Sequence, residues 1–475
     1  MRSIANVVVG LSALIVPCVV HAQIPRFRHI VLIIQENRSP DNLFQGLCGT
    51  NGALCPSPYD VQNFGIDSLG NTVRLIQAPL GAPFDPGHTH ADFVKMCHLN
   101  TTTNQCGMNG LPSTYCSVGK CSFLYVNPTD VAPYTALAQQ YGWANFMFQT
   151  NQGPSGPAHQ FLFAGTSARN STDDSSATFV AENPLSSDIG GCLARLDAVY
   201  NLISPSTAPK EFQITNSPLG SFCFSHPTMA SLLDSQVPPL TWKYYNPGTK
   251  SIWTAPNWIQ EICEPDSSYT ICTGPEWTNN VEMKPAAVLS DISTCNLRDV
   301  VWVIPAGQNS DHPGSGTGGP SWVSSIVNQV GQSNCTDDIN GKLLSYWQDT
   351  AIIVTWDDWG GWYDHEPPRL LSPPRQGLGD YQYGFRVPML FVSAYTPIGF
   401  VSNARLDFGS ILRFIEYNFS LGEGTLGYAD ARATDNLSEF YNLTRVPRVF
   451  QTVSSPLGAA FFLNDTSPME PPDTD

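Results

Sequence analysis

Asp357 and Asp358 are adjacent, and they follow an apolar run, AIIVT, at residues 351–355. Two neighbouring carboxylates repel each other unless a cation or hydrogen-bond donors lie between them. A solvated turn would tolerate such a pair, but this one is flanked by Trp356, Trp359, Gly360, Gly361 and Trp362, a tight and apolar surround. A second polar pair, Glu36-Asn37, follows the run IVLII at 30–34 with only Gln35 between. Carboxylate and amide oxygens from these four residues make a ligand set for one divalent metal ion. With so few imidazoles beside them, magnesium, calcium or manganese is a more natural occupant than structural zinc. Asn37-Arg38-Ser39 is also an acceptor pattern for N-linked sugar. A buried ligand and a glycan acceptor exclude each other, so the expectation is that Asn37 stays unmodified.

Ser155 stands in the turn GPSGPAHQ, just before an expected helix. A serine hydroxyl is a weak nucleophile until a base or a metal lowers its pKa, so Ser155 is the candidate nucleophile and a metal neighbour. At a helix N-terminus it would also sit where backbone N–H groups favour phosphate. Its plainer role is that of a helix cap. Three histidines in Gly/Pro-rich polar loops suit acid–base work or phosphate contacts: His88 in DPGHTH, His312 in NSDHPGSG and His365 in WYDHEPP. His90, His159 and His226 have no companion motif and are read as structural.

The elements that must position these groups are strands. Runs at 30–34, 300–304, 351–355 and 388–393 are short, apolar and rich in β-branched residues, as in a sheet buried on both faces. Helices are expected over 133–141, 159–165, 229–234, 322–329 and 410–418. Alternation of the two predicts an α/β class with a largely parallel central sheet flanked by helices. Ligands bind outside the carboxyl ends of such strands, where Glu36-Asn37, Asp357-Asp358 and the loop carrying His312 emerge. The stretch 166–290, rich in Ser, Pro, Asn and Cys, is expected to be a disulfide-rich loop or cap insertion within a single domain spanning 23–463. Residues 464–475 are expected to be a disordered tail.

Bulk composition narrows the function classes. Of 475 residues, 42% are hydrophobic and 13% charged, with a formal net charge of -17. Such a surface repels nucleic-acid phosphates, and a small anionic substrate would need a local cation to offset it. Arg2, the apolar run 7–20 and Val20-His21-Ala22 read as a secretory signal peptide over 1–22. No later run is apolar and long enough for an integral membrane anchor. Outside that leader, 12 of the 13 cysteines remain, an even number that implies disulfides in an exported chain. Cys48/Cys55 and Cys263/Cys272 are the plausible local bridges.

Four blocks carry a family resemblance: HIVLIIQENRSPDNLFQG, DPGHTH, GPSGPAHQFLFAGTS, and NSDHPGSG with TAIIVTWDDWGGWYDHEPP. Over about 29–420 the chain resembles the bacterial phosphoesterase family of non-specific phospholipases C and a group of acid phosphatases. The resemblance implies an alkaline-phosphatase-like fold and a metal held by Glu36, Asn37, Asp357 and Asp358. It also implies Ser155 as nucleophile and metal neighbour, with His88 and His312 at the site; His365 matches a family position. The chain departs from the family's ENRSFDH at Pro40 and Asn42. Around Ser155 it lacks the Pro-Asn-Arg of the phospholipases and looks more like the acid phosphatases. The expectation is a secreted, metal-dependent phosphomonoesterase working through a phosphoserine. The alternatives are a phospholipase C-type diesterase and a non-enzymatic secreted metal-binding protein. The metal is one of Ca, Mg, Mn or Zn, and the partner is a small phosphate ester or a phospholipid headgroup.

Overall fold

Unbroken apolar runs form the middle of one eight-stranded sheet. The structure is a computed structural model. It describes residues 26–469 apart from 49–54, 56–57, 101, 104, 114, 117–118, 121, 185–189, 207–209, 219, 221, 249–250, 340 and 369–382. The expected signal peptide and residues 470–475 of the expected tail lie outside the described residues.

The sheet strands are β1 (His29–Gln35), β2 (Gly142–Ala144), β3 (Trp242–Tyr245), β4 (Val281–Glu282), β5 (Val300–Val303), β6 (Thr350–Trp356), β7 (Met389–Val392) and β8 (Phe400–Ser402). Their spatial order is β4-β3-β5-β1-β6-β7-β2-β8. All run in one direction except β7, which pairs antiparallel with both neighbours. Every residue of β1 and β6 is buried. Both faces are covered, which is why these strands read as continuous apolar runs rather than alternating ones. In register, Gln35 lies beside Trp356, so the next residues, Glu36 and Asp357, leave the sheet together.

The longer helices are α1 (His90–Cys97), α2 (Ala132–Gln140), α3 (Ser155–Ala164), α4 (Gly319–Gln332) and α5 (Phe408–Phe419). A shorter one covers Met229–Asp234, as its pattern predicts. Among the described residues, no helix is long and apolar enough to cross a membrane. All ten residues of α3 are buried, so this helix is part of the core. The one expected at 159–165 in fact starts at Ser155: Gly156 and Pro157 both fit the first turn, where a missing N–H is tolerated.

The stretch 166–290 divides in two. Phe179–Val180, Val199–Ile203 and Phe212–Thr215 form a separate three-stranded sheet, consistent with an added layer. But β3 and β4 belong to the central sheet, so the stretch is not wholly an insertion. Lys243 breaks the apolar run of β3; its ammonium leaves the core to pair with Asp291 at 2.7 Å.

Among the described residues there are five disulfides: Cys48–Cys55, Cys97–Cys106, Cys192–Cys223, Cys263–Cys272 and Cys295–Cys335. The two expected local bridges are among them. With ten of the cysteines paired, those ten are not zinc ligands.

Candidate active site

Backbone geometry sets the four expected ligands side by side. The Asp357 N–H donates to the Gln35 carbonyl (2.9 Å) and the Arg38 N–H to the Asp358 carbonyl (3.0 Å), so the two strand ends are laced together. Asp357 Oδ1 accepts from the N–H groups of Asn37 (3.0 Å) and Asp358 (2.7 Å). Asn37 has φ 61°, a left-handed conformation that Asn tolerates better than most residues. Gly360 and Gly361 make room for this turn. A Cβ on Gly360 would lie 2.3 Å from the Asn37 carbonyl oxygen, and one on Gly361 2.5 Å from that of Gly87. The two glycines thus bring the Glu36 loop and the His88 loop against the Asp357-Asp358 turn.

The ligand atoms are buried and under-satisfied. Glu36, Asn37, Asp357 and Asp358 are each 0% exposed. Among the described residues Glu36 Oε2, Asn37 Oδ1 and Asp357 Oδ2 have no hydrogen-bond partner, although buried acceptors are nearly always paired. Burial, with the charge of Asp357 added, pushes the Glu36 and Asp358 carboxyls well above their usual range. Among the described residues, no Lys or Arg pairs with any of the three carboxylates. Three buried acids and an amide oxygen with open lone pairs fit a hard divalent cation, which would supply the missing charge and coordination. At 0% exposure Asn37 is also closed to glycosylation.

His159 joins this cluster, a position that its sequence context did not reveal. Its Nε2 lies 3.1 Å from Glu36 Oε1 and 3.7 Å from Asp357 Oδ2. Burial, only partly opposed by Asp357, lowers its pKa to about 4, so the ring is neutral and donates one hydrogen bond without neutralising the acids. The signal was its spacing: residues four apart share a helix face, and His159 is four after Ser155.

Ser155 opens α3, and its hydroxyl donates to Asp358 Oδ2 at 3.2 Å. It is the first helical residue; the cap is Pro154, which offers no side-chain hydrogen bond, so Ser155 is not itself the helix cap. The helix end is a poorer phosphate cradle than its position predicts. The Gly156 N–H already donates to Asn183 Oδ1 at 2.8 Å, and Pro157 has no N–H.

The histidines fall into two groups. His88 Nδ1–H donates to the Pro86 carbonyl (3.0 Å), which makes Nε2 the acceptor for the Asn37 amide (3.0 Å). That bond turns Asn37 Oδ1 away, as a ligand requires. His312 donates from Nδ1 to the Pro313 carbonyl (2.9 Å), and its ring lies 6.4 Å from that of His88 and 6.1 Å from Trp253. Arg38 supports this loop: its Nε donates to the Asp311 carbonyl (2.9 Å), its Nη1 to Asn42 (3.2 Å) and its Nη2 to the Leu80 carbonyl (3.1 Å). Asn42 and Pro40 are therefore accommodated, the first as an Arg38 partner and the second at the start of a short helix.

His365 lies in a different cluster. Its Nδ1 is 2.8 Å from Asp41 and its Nε2 3.2 Å from Asp60. Burial alone would lower its pKa, but Asp41 and Asp60 outweigh burial and hold it at about 10, so both nitrogens donate. Arg386, fully buried, binds Asp364 through Nε (3.0 Å) and Nη2 (3.1 Å) and reaches Asp60 with Nη1 (3.0 Å).

A model of the Phosphoesterase family matches residues 27–422. Among curated proteins, the non-hemolytic phospholipase C of Pseudomonas aeruginosa is 22% identical over 466 residues, covering 89% of this chain and 58% of that protein. Phospholipase C A of Mycobacterium tuberculosis is 25% identical over 439 residues, covering 85% and 75%. The chain thus spans a little over half the length of the first relative. Among solved structures, a protein of the alkaline phosphatase superfamily from Vibrio parahaemolyticus aligns at TM-score 0.33 and 10% identity, covering 83% of this chain and 68% of that one. Ps i-CgsB in complex with k-i-k-neocarrahexaose aligns at 0.36 and 9%, covering 87% and 75%. Since the family match runs from before β1 to just past α5 and takes in every residue of both clusters, the chain belongs to the Phosphoesterase family.

Proposed function

We propose that this protein is an exported phosphoric ester hydrolase that works through Ser155, with phosphate monoesters as its first substrate class. The observation that carries the reading is the Ser155 hydroxyl, 3.2 Å from Asp358 Oδ2 beside three buried oxygens that lack partners. Glu36, Asn37, Asp357 and Asp358 would hold one divalent cation, with Ser155 as its neighbour. When bound, the ion supplies Lewis acidity, lowering the pKa of a hydroxyl and offsetting charge on phosphoryl oxygens.

The chain's own residues do the rest. As the Ser155 oxygen attacks phosphorus in line, its proton passes to Asp358 Oδ2, and the bond to the leaving oxygen breaks as the Oγ–P bond forms. His312 protonates the leaving oxygen. Water, giving a proton back to His312, then attacks the phosphoserine; phosphate leaves and the proton on Asp358 returns to the Ser155 oxygen. His88 fixes the Asn37 amide, and neutral His159 fixes Glu36. His365 is less suited to proton transfer, because both its nitrogens are held by carboxylates.

The phospholipase C names of the relatives favour a second reading, a diesterase on phosphatidylcholine-like lipids. Ser155, without a following Asn-Arg, favours the monoester. Export is supported by the five disulfides, which persist in oxidising compartments. The test is turnover of an aryl monophosphate and of phosphatidylcholine by the metal-supplied protein, with acid-quenched samples searched for phosphoserine on the Ser155 peptide. Phosphoserine and monoester turnover support the reading. Phosphatidylcholine turnover alone would move the protein to the diesterases, and turnover without any Ser155 adduct in a burst-phase quench would overturn the covalent scheme.

A further inference from the structure

The two central strands carry metal-ligating side chains at both ends. Beyond their carboxyl ends lie Glu36 and Asp357. At their amino ends lie His29, the first residue of β1, and Asp349, just before β6. A seven-residue strand separates the two groups by roughly 20 Å. Asp337, from the hairpin strand Thr336–Ile339, completes the second group. One ligand atom each from His29, Asp337 and Asp349 all lie within 4.8 Å of one another.

We propose that His29, Asp337 and Asp349 form a second divalent-cation site, separate from the catalytic cluster. Three independent features point there. First, His29 Nδ1 faces the Arg298 carbonyl at 2.8 Å and must donate to it. Its Nε2, on the other side of the ring, lies 2.9 Å from Asp337 Oδ2. Either a proton or a cation must lie between two such acceptors, and carbonyl-anchored imidazoles are typical metal ligands. Second, Asp349 is 2% exposed, and among the described residues no other residue donates a hydrogen bond to its carboxylate, which faces that of Asp337. Third, Thr350, the register partner of His29 on the same sheet face, has a buried hydroxyl that is also without a partner.

The surroundings are built to hold this group in place. Cys335, two residues before Asp337, is bridged to Cys295, and Cys295 precedes Arg298, whose carbonyl anchors His29. The Asp337 side chain is 28% exposed and gives solvent access. The guanidinium of Arg28 is paired with Asp299 at 2.9 Å. One imidazole with two carboxylates suits zinc or manganese better than calcium.

The alternative is a proton shared between Asp337 and Asp349 with His29 as imidazolium, and the two make opposite predictions. The full chain carrying Glu36→Gln and Asp357→Asn, which removes the first cation site, is dialysed with zinc and analysed for bound metal and Tm. It is expected to retain about one zinc per chain and to gain Tm with zinc, and adding Asp349→Asn should abolish both. If Asp349→Asn raises Tm equally with zinc and with chelator, the cluster is a shared-proton pair and the proposal fails. Wild-type crystals soaked in zinc provide a check that needs no variant. An anomalous peak between His29 Nε2, Asp337 and Asp349 is expected, and its absence while the Glu36 cluster shows one would overturn the site without touching the phosphoesterase reading.

Discussion

Residues 36–41 and 357–365 feed two groups of carboxylates, all buried except Asp60, and the two are neutralised in opposite ways. Around Arg386, the acids Asp41, Asp60 and Asp364 meet a guanidinium and the imidazolium of His365, and every partner is supplied by the chain. Around Ser155, among the described residues, the acids Glu36, Asp357 and Asp358 meet no cationic side chain but a neutral histidine, and acceptor oxygens are left over. Burying a charge is tolerated only when it is paired, so the first group is complete as scaffold, while in the proposed function a cation would complete the second. Adjacent segments of one fold thus separate a structural task from a chemical one by where the basic residues are placed.

Substitutions can break this contrast, in decreasing order of effect. Ser155→Ala should lower kcat on an aryl phosphate by on the order of 10⁴ or more, with little change in Tm. Arg386→Met leaves three acids without their guanidinium and should cost about 3–5 kcal/mol of stability in urea unfolding. His312→Gln should lower kcat by about 10²-fold, more for poor leaving groups than for good ones. In the chelated protein, Asp357→Asn with Asp358→Asn should raise stability by about 1–3 kcal/mol, the opposite sign to Arg386→Met, because uncompensated buried charge is removed.

The remaining expected effect is a pH dependence. The folded pKa of His365, about 10, lies above its ordinary 6.5, so its ion pairs contribute in full below about pH 6.5. That contribution is lost as pH rises through 10. The stability gap between wild type and His365→Gln should therefore shrink across that window when followed by thermal unfolding. A gap that stays constant from pH 6 to 10 would mean that His365 is neutral.

The difference between the clusters was only partly legible in the sequence. Glu36, Asn37, Asp357 and Asp358 stood out because polar residues crowd against the ends of apolar strands, and strand ends meet in a parallel sheet. That β1, β5 and β6 are buried strands of a largely parallel sheet followed from the same runs, though their order did not. His159 was hidden because the expected helix began at 159 rather than at Ser155, so the shared face went unseen. His365 looked like the other loop histidines; only the fold brings Asp41, Asp60 and Arg386 to it from three separate segments. β3 was hidden by Lys243, whose partner Asp291 is remote in sequence. For His365 and β3 what escaped the sequence was a long-range pairing, which local pattern does not encode; for His159 it was a misplaced helix start.

The central claim is that the unneutralised cluster holds a cation beside a nucleophilic Ser155. Its most direct test is a crystal structure of the manganese-loaded protein with orthovanadate. The account predicts a cation contacted by Glu36, Asn37, Asp357 and Asp358, and vanadium bonded to Ser155 Oγ with His312 on the leaving-group side. A metal-loaded crystal with no ion at those four residues, or vanadate bound away from Ser155, would contradict it.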